Sequence, residues 1–170
     1  MANHHSKGSF HLEVLKRHAG MLDGTERFHL LLTNLRYEGK PRLGSNIFQA
    51  EKILGFLNEV ILQFQIEEKF FFPFLLGHIP KLKPTVRLLK AEHGEFEIRL
   101  KKFQQDFRRF ADEGRLNAGF AFHELWEDGM YLIYLLRHHI RAEGLICKIM
   151  TAHLRADERA ELKPVEGARP

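Results

Sequence analysis

Residues 135–143 have the sequence LLRHHIRAE, in which His139 and Glu143 lie four residues apart within an apolar run. A spacing of four places an imidazole and a carboxylate on the same face of an α-helix, one turn apart. Both groups are common ligands of transition metals in proteins. The stretch therefore predicts one wall of a metal site, provided that other helices bring further ligands to the same depth.

Turn signals divide the chain into four long segments of helical pattern. We predict the first helix over residues 10–37, the second from Asn46 until Pro73 perturbs its last turn, the third over 84–111 and the fourth over 119–154. Each segment has apolar residues at helical spacing, and none alternates with the period of two that is typical of strands. Because the connections are short, we expect an all-α fold, an up-down-up-down four-helix bundle.

One domain accounts for most of the chain. We expect residues 1–9 to be a flexible N-terminus, residues 10–154 to form the bundle, and residues 155–170 to be a charged tail that is disordered after a short helical end. A chain of 170 residues is long enough to bury a sizeable core in one domain.

Composition excludes several classes of protein. The single cysteine, Cys147, excludes an internal disulfide and a cysteine-rich zinc site, and we expect it to be a small buried hydrophobe. The net charge is +4 and basic residues alternate with acidic ones, so no nucleic-acid partner is expected. No apolar run reaches the roughly 20 residues of a spanning helix, and the first residues lack the apolar core of a signal peptide. We therefore predict a cytoplasmic protein with no membrane partner; a homodimer stays open.

The depth of each ionisable residue can be counted from the turns at about 1.5 Å per residue. His18 and Glu67 lie 19 and 20 residues from the first turn, so both are about 30 Å from it. The same count places Glu67 and His93 at about the same distance from the second turn. It also places His93 and His139 at about the same distance from the third turn. Four helices therefore each send an ionisable side chain to one layer. His29, the rival on the first helix, lies about 16 Å from that layer, and we expect a half-buried or surface histidine there.

These residues resemble the bacterial hemerythrin-like family, also called the HHE cation-binding domain, in which a four-helix bundle holds a non-haem di-iron centre. The family's fourth-helix motif is matched by HIRAE at residues 139–143, and its third-helix Glu-His pair by residues 92–93. Its second-helix signature is matched by EEKFFFPFL at residues 67–75, and the first-helix histidine by LKRH at residues 15–18. The resemblance covers residues 10–154 and implies the bundle fold.

The resemblance also implies a ligand set. Three imidazoles and two carboxylates would hold the metals, and the carboxylates would bridge them; a glutamate one turn after the third-helix histidine could add another carboxylate. The residues concerned are His18, His93 and His139, then Glu67 and Glu143, and finally Glu97. Without metal, the same carboxylates and histidines could instead pair with one another as a polar core.

Gln63 departs from the family pattern. The family has a histidine four residues before the bridging glutamate, and this chain has Gln63, followed by Phe64 at a position that is often histidine as well. The amide oxygen of glutamine is a much weaker iron ligand than imidazole. Three outcomes follow: a di-iron site with an open position, to which Gln63 could still contribute, a single tightly held metal, or a bundle that has lost its metal.

The resemblance implies a non-haem iron protein with two irons per chain, or one, that binds or senses dioxygen or nitric oxide, or handles iron under oxidative or nitrosative stress. An alternative is a di-iron oxidase or peroxidase that uses the position left open at Gln63, and another is a metal-free helical interaction module with an unidentified protein partner. Apolar side chains should line the centre and govern access to it. The candidates for this lining are Met21, Leu22, Phe70, Phe71, Phe96, Leu136 and Ile140.

Overall fold

The structure, a computed structural model, describes residues 10–37, 43–112 and 118–161, and the elements it describes are all helical. The all-α prediction is confirmed. None of the helices in these ranges combines the length and the apolar character needed to cross a bilayer. In chain order the elements are α1 (Phe10–Tyr37), α2 (Leu43–Ile66), a π-helical turn (Glu67–Phe71), α3 (Phe72–His78), a 3₁₀ turn (Pro80–Leu82), α4 (Lys83–Asp112), α5 (Ala118–His153) and α6 (Ala156–Ala160).

The helix bounds follow the turn signals with two differences. The second helix begins at Leu43 instead of at a cap on Asn46, because a first turn tolerates glycine and serine where the N–H groups have no intrahelical partner. It is then interrupted by the π-helical turn before Pro73. Within the predicted charged tail, Ala156–Ala160 form the short helix α6. The predicted flexible N-terminus at residues 1–9, and residues 162–170 of the tail, lie outside the described residues.

Contacts between neighbouring helices establish that they run antiparallel. Between α1 and α5, His18 contacts Glu143 while Glu26 contacts Arg137, so one residue number rises as the other falls. The same relation holds between α4 and α5, where His93 contacts His139 and Arg99 contacts Asp128. It also holds between α2 and α4, where Phe64 packs on Phe96 and Glu68 pairs with Lys90. The bundle is therefore up-down-up-down, as predicted.

Two apolar clusters fill the bundle, one on each side of a polar layer. The larger cluster draws on α1, α2, α4 and α5, and burying each large side chain in it contributes about 1.5–3 kcal/mol. The smaller cluster draws on the π-helical turn, α3 and the facing ends of α4 and α5. Along α4 the smaller cluster ends at Leu89 and the larger begins at Phe96, with His93 between them. Along α5, Glu143 lies between Ile140 of the larger cluster and Ile146 of the smaller one. The polar layer is thus enclosed by apolar packing above and below.

Candidate metal centre

Five ionisable side chains meet in the layer between the two apolar clusters. They are His18 of α1, Glu67 at the first position of the π-helical turn, His93 of α4, and His139 and Glu143 of α5. None is more than 4% exposed. Burial of this many charged or polar groups is costly unless each is paired or binds a metal.

The shortest distances in the layer define one point of convergence. Glu67 Oε2 lies 3.4 Å from His93 Nε2 and 3.5 Å from His139 Nε2, and the two Nε2 atoms are 3.3 Å apart. One ligand atom from each of these three residues could therefore contact a single cation. Glu143 Oε2 is close as well, 3.6 Å from His139 Nε2 and 2.7 Å from His18 Nε2.

Two of the buried carboxylate oxygens in this layer have no hydrogen-bond partner among the described residues. They are Glu67 Oε2 and Glu143 Oε1. A buried carboxylate oxygen without a partner is destabilising. A cation coordinated by both carboxylates and by the imidazoles would remove this cost, and mixed imidazole and carboxylate donors suit iron and its neighbours in the first transition series. The residues present therefore fit a transition-metal ion.

Carboxylates outside the layer orient the two central histidines. His93 Nδ1 donates a hydrogen bond to Glu68 Oε1 at 2.8 Å, and His139 Nδ1 donates to Glu92 Oε2 at 3.2 Å. Each Nδ1 proton therefore forms a hydrogen bond to a carboxylate outside the layer, and each Nε2 faces the centre. Such partners fix the tautomer of a metal-ligating histidine and raise its basicity. The sequence pattern did not predict these roles for Glu68 and Glu92, although each is adjacent in sequence to a predicted ligand.

The charges of the layer are strongly coupled. Burial alone would raise the pKa of Glu67, but the close contacts with His139 and His93 and the charges of these histidines outweigh it and lower the pKa to about 2. Burial alone would lower the pKa of His139, but its close contacts with Glu67 and Glu92 and the charge of Glu143 raise it to about 10. Burial and the nearby charge of Glu67 raise the pKa of Glu143. Without metal, the layer therefore retains protons on His139 and on Glu143 into a higher pH range than usual.

A second line of hydrogen bonds runs from α1 into the layer through Gln63. Arg17 Nη1 donates to Gln63 Oε1 at 2.6 Å, and Gln63 Nε2 donates to Glu67 Oε1 at 2.7 Å. Arginine can only donate and an ionised carboxylate can only accept, so these two partners set the orientation of the amide. The Gln63 oxygen faces Arg17 and its NH₂ group faces Glu67.

The π-helical turn explains how Glu67 and the aromatic residues after it are arranged. The N–H of Phe72 bonds to the carbonyl of Glu67, five residues before it, and the next residue, Pro73, has no N–H group to bond to the carbonyl of Lys69. The wider turn places Phe71 and Phe72 in the core and leaves Phe70 36% exposed. Single π-helical turns occur frequently at functional sites.

Of the seven residues predicted to line the centre, five are buried and two are exposed. Met21, Phe71, Phe96, Leu136 and Ile140 are buried. Phe70 is at the surface because the π-helical turn rotates it outward, and Leu22 is 42% exposed because α1 buries Met21 instead. The ring of Phe64 stacks on that of His93, with 4.0 Å between centroids and 7° between planes, a contact that the sequence did not predict.

Three further residues lie outside the point of convergence. Glu97 is half-buried one turn after His93 and is not among the three residues whose ligand atoms converge. His29 is half-buried. Its backbone carbonyl accepts a hydrogen bond from the hydroxyl group of Thr33 at 2.8 Å. Cys147 is buried as predicted, and burial together with the charges of Glu143 and Glu67 raises its pKa to about 12.

An apolar groove of about 1220 Å³ separates α1 from α2 and extends to the layer. Its lining includes Leu31, Ile53 and Phe70, and it also reaches Arg17 and Gln63. The Gln63 side of the layer is therefore the side adjacent to this groove.

Comparison with known proteins agrees with this geometry. No curated protein and no solved structure matches the chain. The family model of the hemerythrin HHE cation binding domain matches residues 13–146, a range that contains all five side chains of the layer. Since the match covers most of the 170 residues, the chain belongs to the hemerythrin HHE cation-binding domain family.

Proposed function

We propose that this protein is a non-haem iron protein that binds or senses dioxygen or nitric oxide. The observation that carries the proposal is the buried convergence of Glu67, His93 and His139, with a carboxylate oxygen left without a hydrogen-bond partner. Membership of a cation-binding family supports the same conclusion. When bound, ferrous iron supplies an open coordination position for a small gas molecule.

Different residues would bind such an ion, orient its ligands and exclude water from it. Glu67, His93, His139 and Glu143 would provide ligand atoms, and His18 would hold Glu143 through the contact at 2.7 Å. Glu68 and Glu92 would keep the imidazoles in the neutral tautomer with Nε2 available for the metal. The ring of Phe64 and the apolar clusters on both sides would exclude water from the centre.

Anaerobic reconstitution with ferrous iron tests the proposal. The purified protein should retain iron after desalting, and its absorption spectrum should change reversibly when dioxygen or nitric oxide is added and removed. A His139→Ala variant should retain no iron. His123→Ala is the matched control, because His123 also lies on α5, has a 65% exposed side chain and pairs with Glu127, away from the centre. Absence of iron in the parent protein after desalting would refute the proposal.

The apolar groove favours a second candidate, an iron oxidase or peroxidase. Its volume of about 1220 Å³ is far larger than a diatomic gas requires, and it is adjacent to the layer at Gln63. Catalytic consumption of hydrogen peroxide or dioxygen over many turnovers would support this candidate. Stoichiometric, reversible gas binding would support the first.

A further inference from the structure

We propose that Gln63, oriented by Arg17, is a positioning residue that closes one side of the centre to metal, so that the chain binds one ion. This inference rests on the metal-binding function proposed above. The hydrogen bonds from Arg17 to Gln63 and from Gln63 to Glu67 carry it.

The amide of Gln63 presents the wrong group to a metal. Its oxygen, the only atom of the side chain that can coordinate a cation, accepts the hydrogen bond from Arg17 at 2.6 Å. Its NH₂ group, which only donates, faces Glu67. Reversing the amide would bring two donors together at Arg17 and two acceptors together at Glu67, so the observed orientation is the stable one.

The same hydrogen bond engages one of the two carboxylate oxygens of Glu67. Oε1 accepts from Gln63 at 2.7 Å, whereas Oε2 points between His93 and His139 with no hydrogen-bond partner. A carboxylate that bridges two ions through both oxygens offers one oxygen to each, and here Oε1 faces the amide of Gln63. Glu67 Oε2 can therefore bind an ion on the side of the layer formed by α4 and α5, while Oε1 keeps its hydrogen bond from the amide of Gln63.

The donors on the two sides of the layer are unequal. The side formed by α4 and α5 has two imidazole nitrogens 3.3 Å apart together with Glu67 Oε2. The side formed by α1 and α2 has the single imidazole of His18, whose Nε2 already contacts Glu143 at 2.7 Å. That side also has the guanidinium of Arg17 hydrogen-bonded to Gln63, and a fixed positive charge opposes the binding of a second cation nearby.

Metal counting on the whole chain tests the inference. After anaerobic loading with ferrous iron and desalting, elemental analysis should give one iron per chain. After oxidation, that iron should give the paramagnetic resonance signal of an isolated ferric ion, which a pair of coupled ferric ions would lack. Two retained irons with a coupled spectrum would overturn the inference and leave the proposed function intact. No retained iron would overturn both.

A double variant tests the role assigned to Arg17 and Gln63. Arg17→Leu with Gln63→His removes the positive charge and adds an imidazole, so the iron content should double and the isolated ferric signal should disappear. The matched control is Arg17→Leu with Gln65→His, which has the same composition but places the new imidazole at an exposed position of α2; it should keep one iron. A double variant that folds and still binds one iron would overturn the inference. The count in the parent protein decides the question even if the variant does not fold.

Discussion

Glu92 contacts both histidines of the pair at the centre of α5. One oxygen lies 2.8 Å from Nδ1 of the exposed His138, and the other accepts from Nδ1 of the buried His139. Burial alone would raise the pKa of Glu92, but the hydrogen bond and charge of His139, followed by those of His138, lower it. Glu92 is therefore held ionised and can stabilise the His139 tautomer that exposes Nε2 to a metal.

Replacing Glu92 by glutamine should weaken metal binding without unfolding the protein. The amide can still accept from His139, but the negative charge that raises the basicity of the imidazole is lost, and loss of such a partner typically costs about 10- to 100-fold in affinity. Competition with a chromophoric chelator measures the change. Glu95→Gln is the matched control, since Glu95 lies on the same helix and pairs with Arg99 at 2.8 Å. Equal affinities for the two variants would contradict the role given to Glu92.

His139 should lose a proton when metal binds. Its pKa of about 10 means that the imidazole is protonated at neutral pH in the metal-free protein, whereas a metal ligand must be neutral. Affinity should therefore rise with pH, by about tenfold per unit for one displaced proton, until the pH approaches the pKa.

Calorimetric titration in buffers of different ionisation enthalpy measures this proton directly. At pH 7 the observed heat should vary linearly with the buffer ionisation enthalpy, with a slope of about one proton per ion for His139. The slope should fall as the pH is raised. A heat that is independent of the buffer would show that His139 is already neutral in the metal-free protein.

At the scale of single elements, α5 approaches α1 and α4 closely at Gly129. A Cβ atom added there would lie 2.6 Å from Leu32 Cδ1 and 3.1 Å from Phe103 Cε2. Leu32 and Phe103 are both buried in the larger cluster and have little room to move. A glycine in the interior of a helix is unfavourable in itself, so its presence here is explained by packing.

Gly129→Ala should therefore destabilise the bundle. Overpacking costs about 1–3 kcal/mol, and the better helix propensity of alanine returns up to about 1 kcal/mol, so a net loss of about 1–2 kcal/mol is expected. Urea unfolding followed by circular dichroism measures it. Gly55→Ala is the control, because an added Cβ there meets no atom within 4 Å, and this variant should be as stable as the parent or more so. If both variants gained stability, the close approach at Gly129 would be disproved.

The long helices could be predicted from the sequence because each has apolar residues at helical spacing, and glycine or proline follows the first, second and third of them closely. The π-helical turn could not, because the apolar pattern of residues 67–75 does not reveal which carbonyl accepts each hydrogen bond. That turn decides which phenylalanine is buried, so Phe70 was assigned to the interior in error. A proline six residues after the buried Glu67 was the available signal.

The distance of each residue from the turns predicted which ionisable groups meet. Residues of two packed helices at the same distance from their common turn are neighbours. The roles of Arg17, Glu68 and Glu92 could not be predicted in this way. Each acts through a contact with another helix, and depth alone does not tell which way a long side chain turns. The orientation of the Gln63 amide depends on two contacts at once, one with Arg17 of α1 and one with Glu67 of the π-helical turn.

At the scale of the whole molecule, the layer joins all four long helices at one level between two apolar clusters. The contact between His18 and Glu143 ties α1 to α5, and the contacts among Glu67, His93 and His139 tie the end of α2 to α4 and α5. Without metal, hydrogen bonds and ion pairs between these histidines and glutamates hold the junction. Two of its carboxylate oxygens have no hydrogen-bond partner among the described residues. The residues that would bind a metal therefore also connect the four helices to one another between the two apolar clusters.

Metal loading should consequently raise the thermal stability of the entire bundle. A ligand that binds only the folded state stabilises it by about 4 kcal/mol when its free concentration is 1,000 times its dissociation constant. For a chain of this size each kcal/mol raises Tm by about 2–4 °C, so an increase of about 8–16 °C is expected. Scanning calorimetry of the loaded and metal-free protein measures it, and a strong chelator should reverse the increase. His123→Ala should show the full increase and His139→Ala none, because His123 is exposed and pairs with Glu127, whereas His139 directs a nitrogen at the centre. An equal increase in both variants would mean that the metal binds elsewhere, and an unchanged Tm in the loaded parent would mean that the bundle does not depend on the metal for its stability.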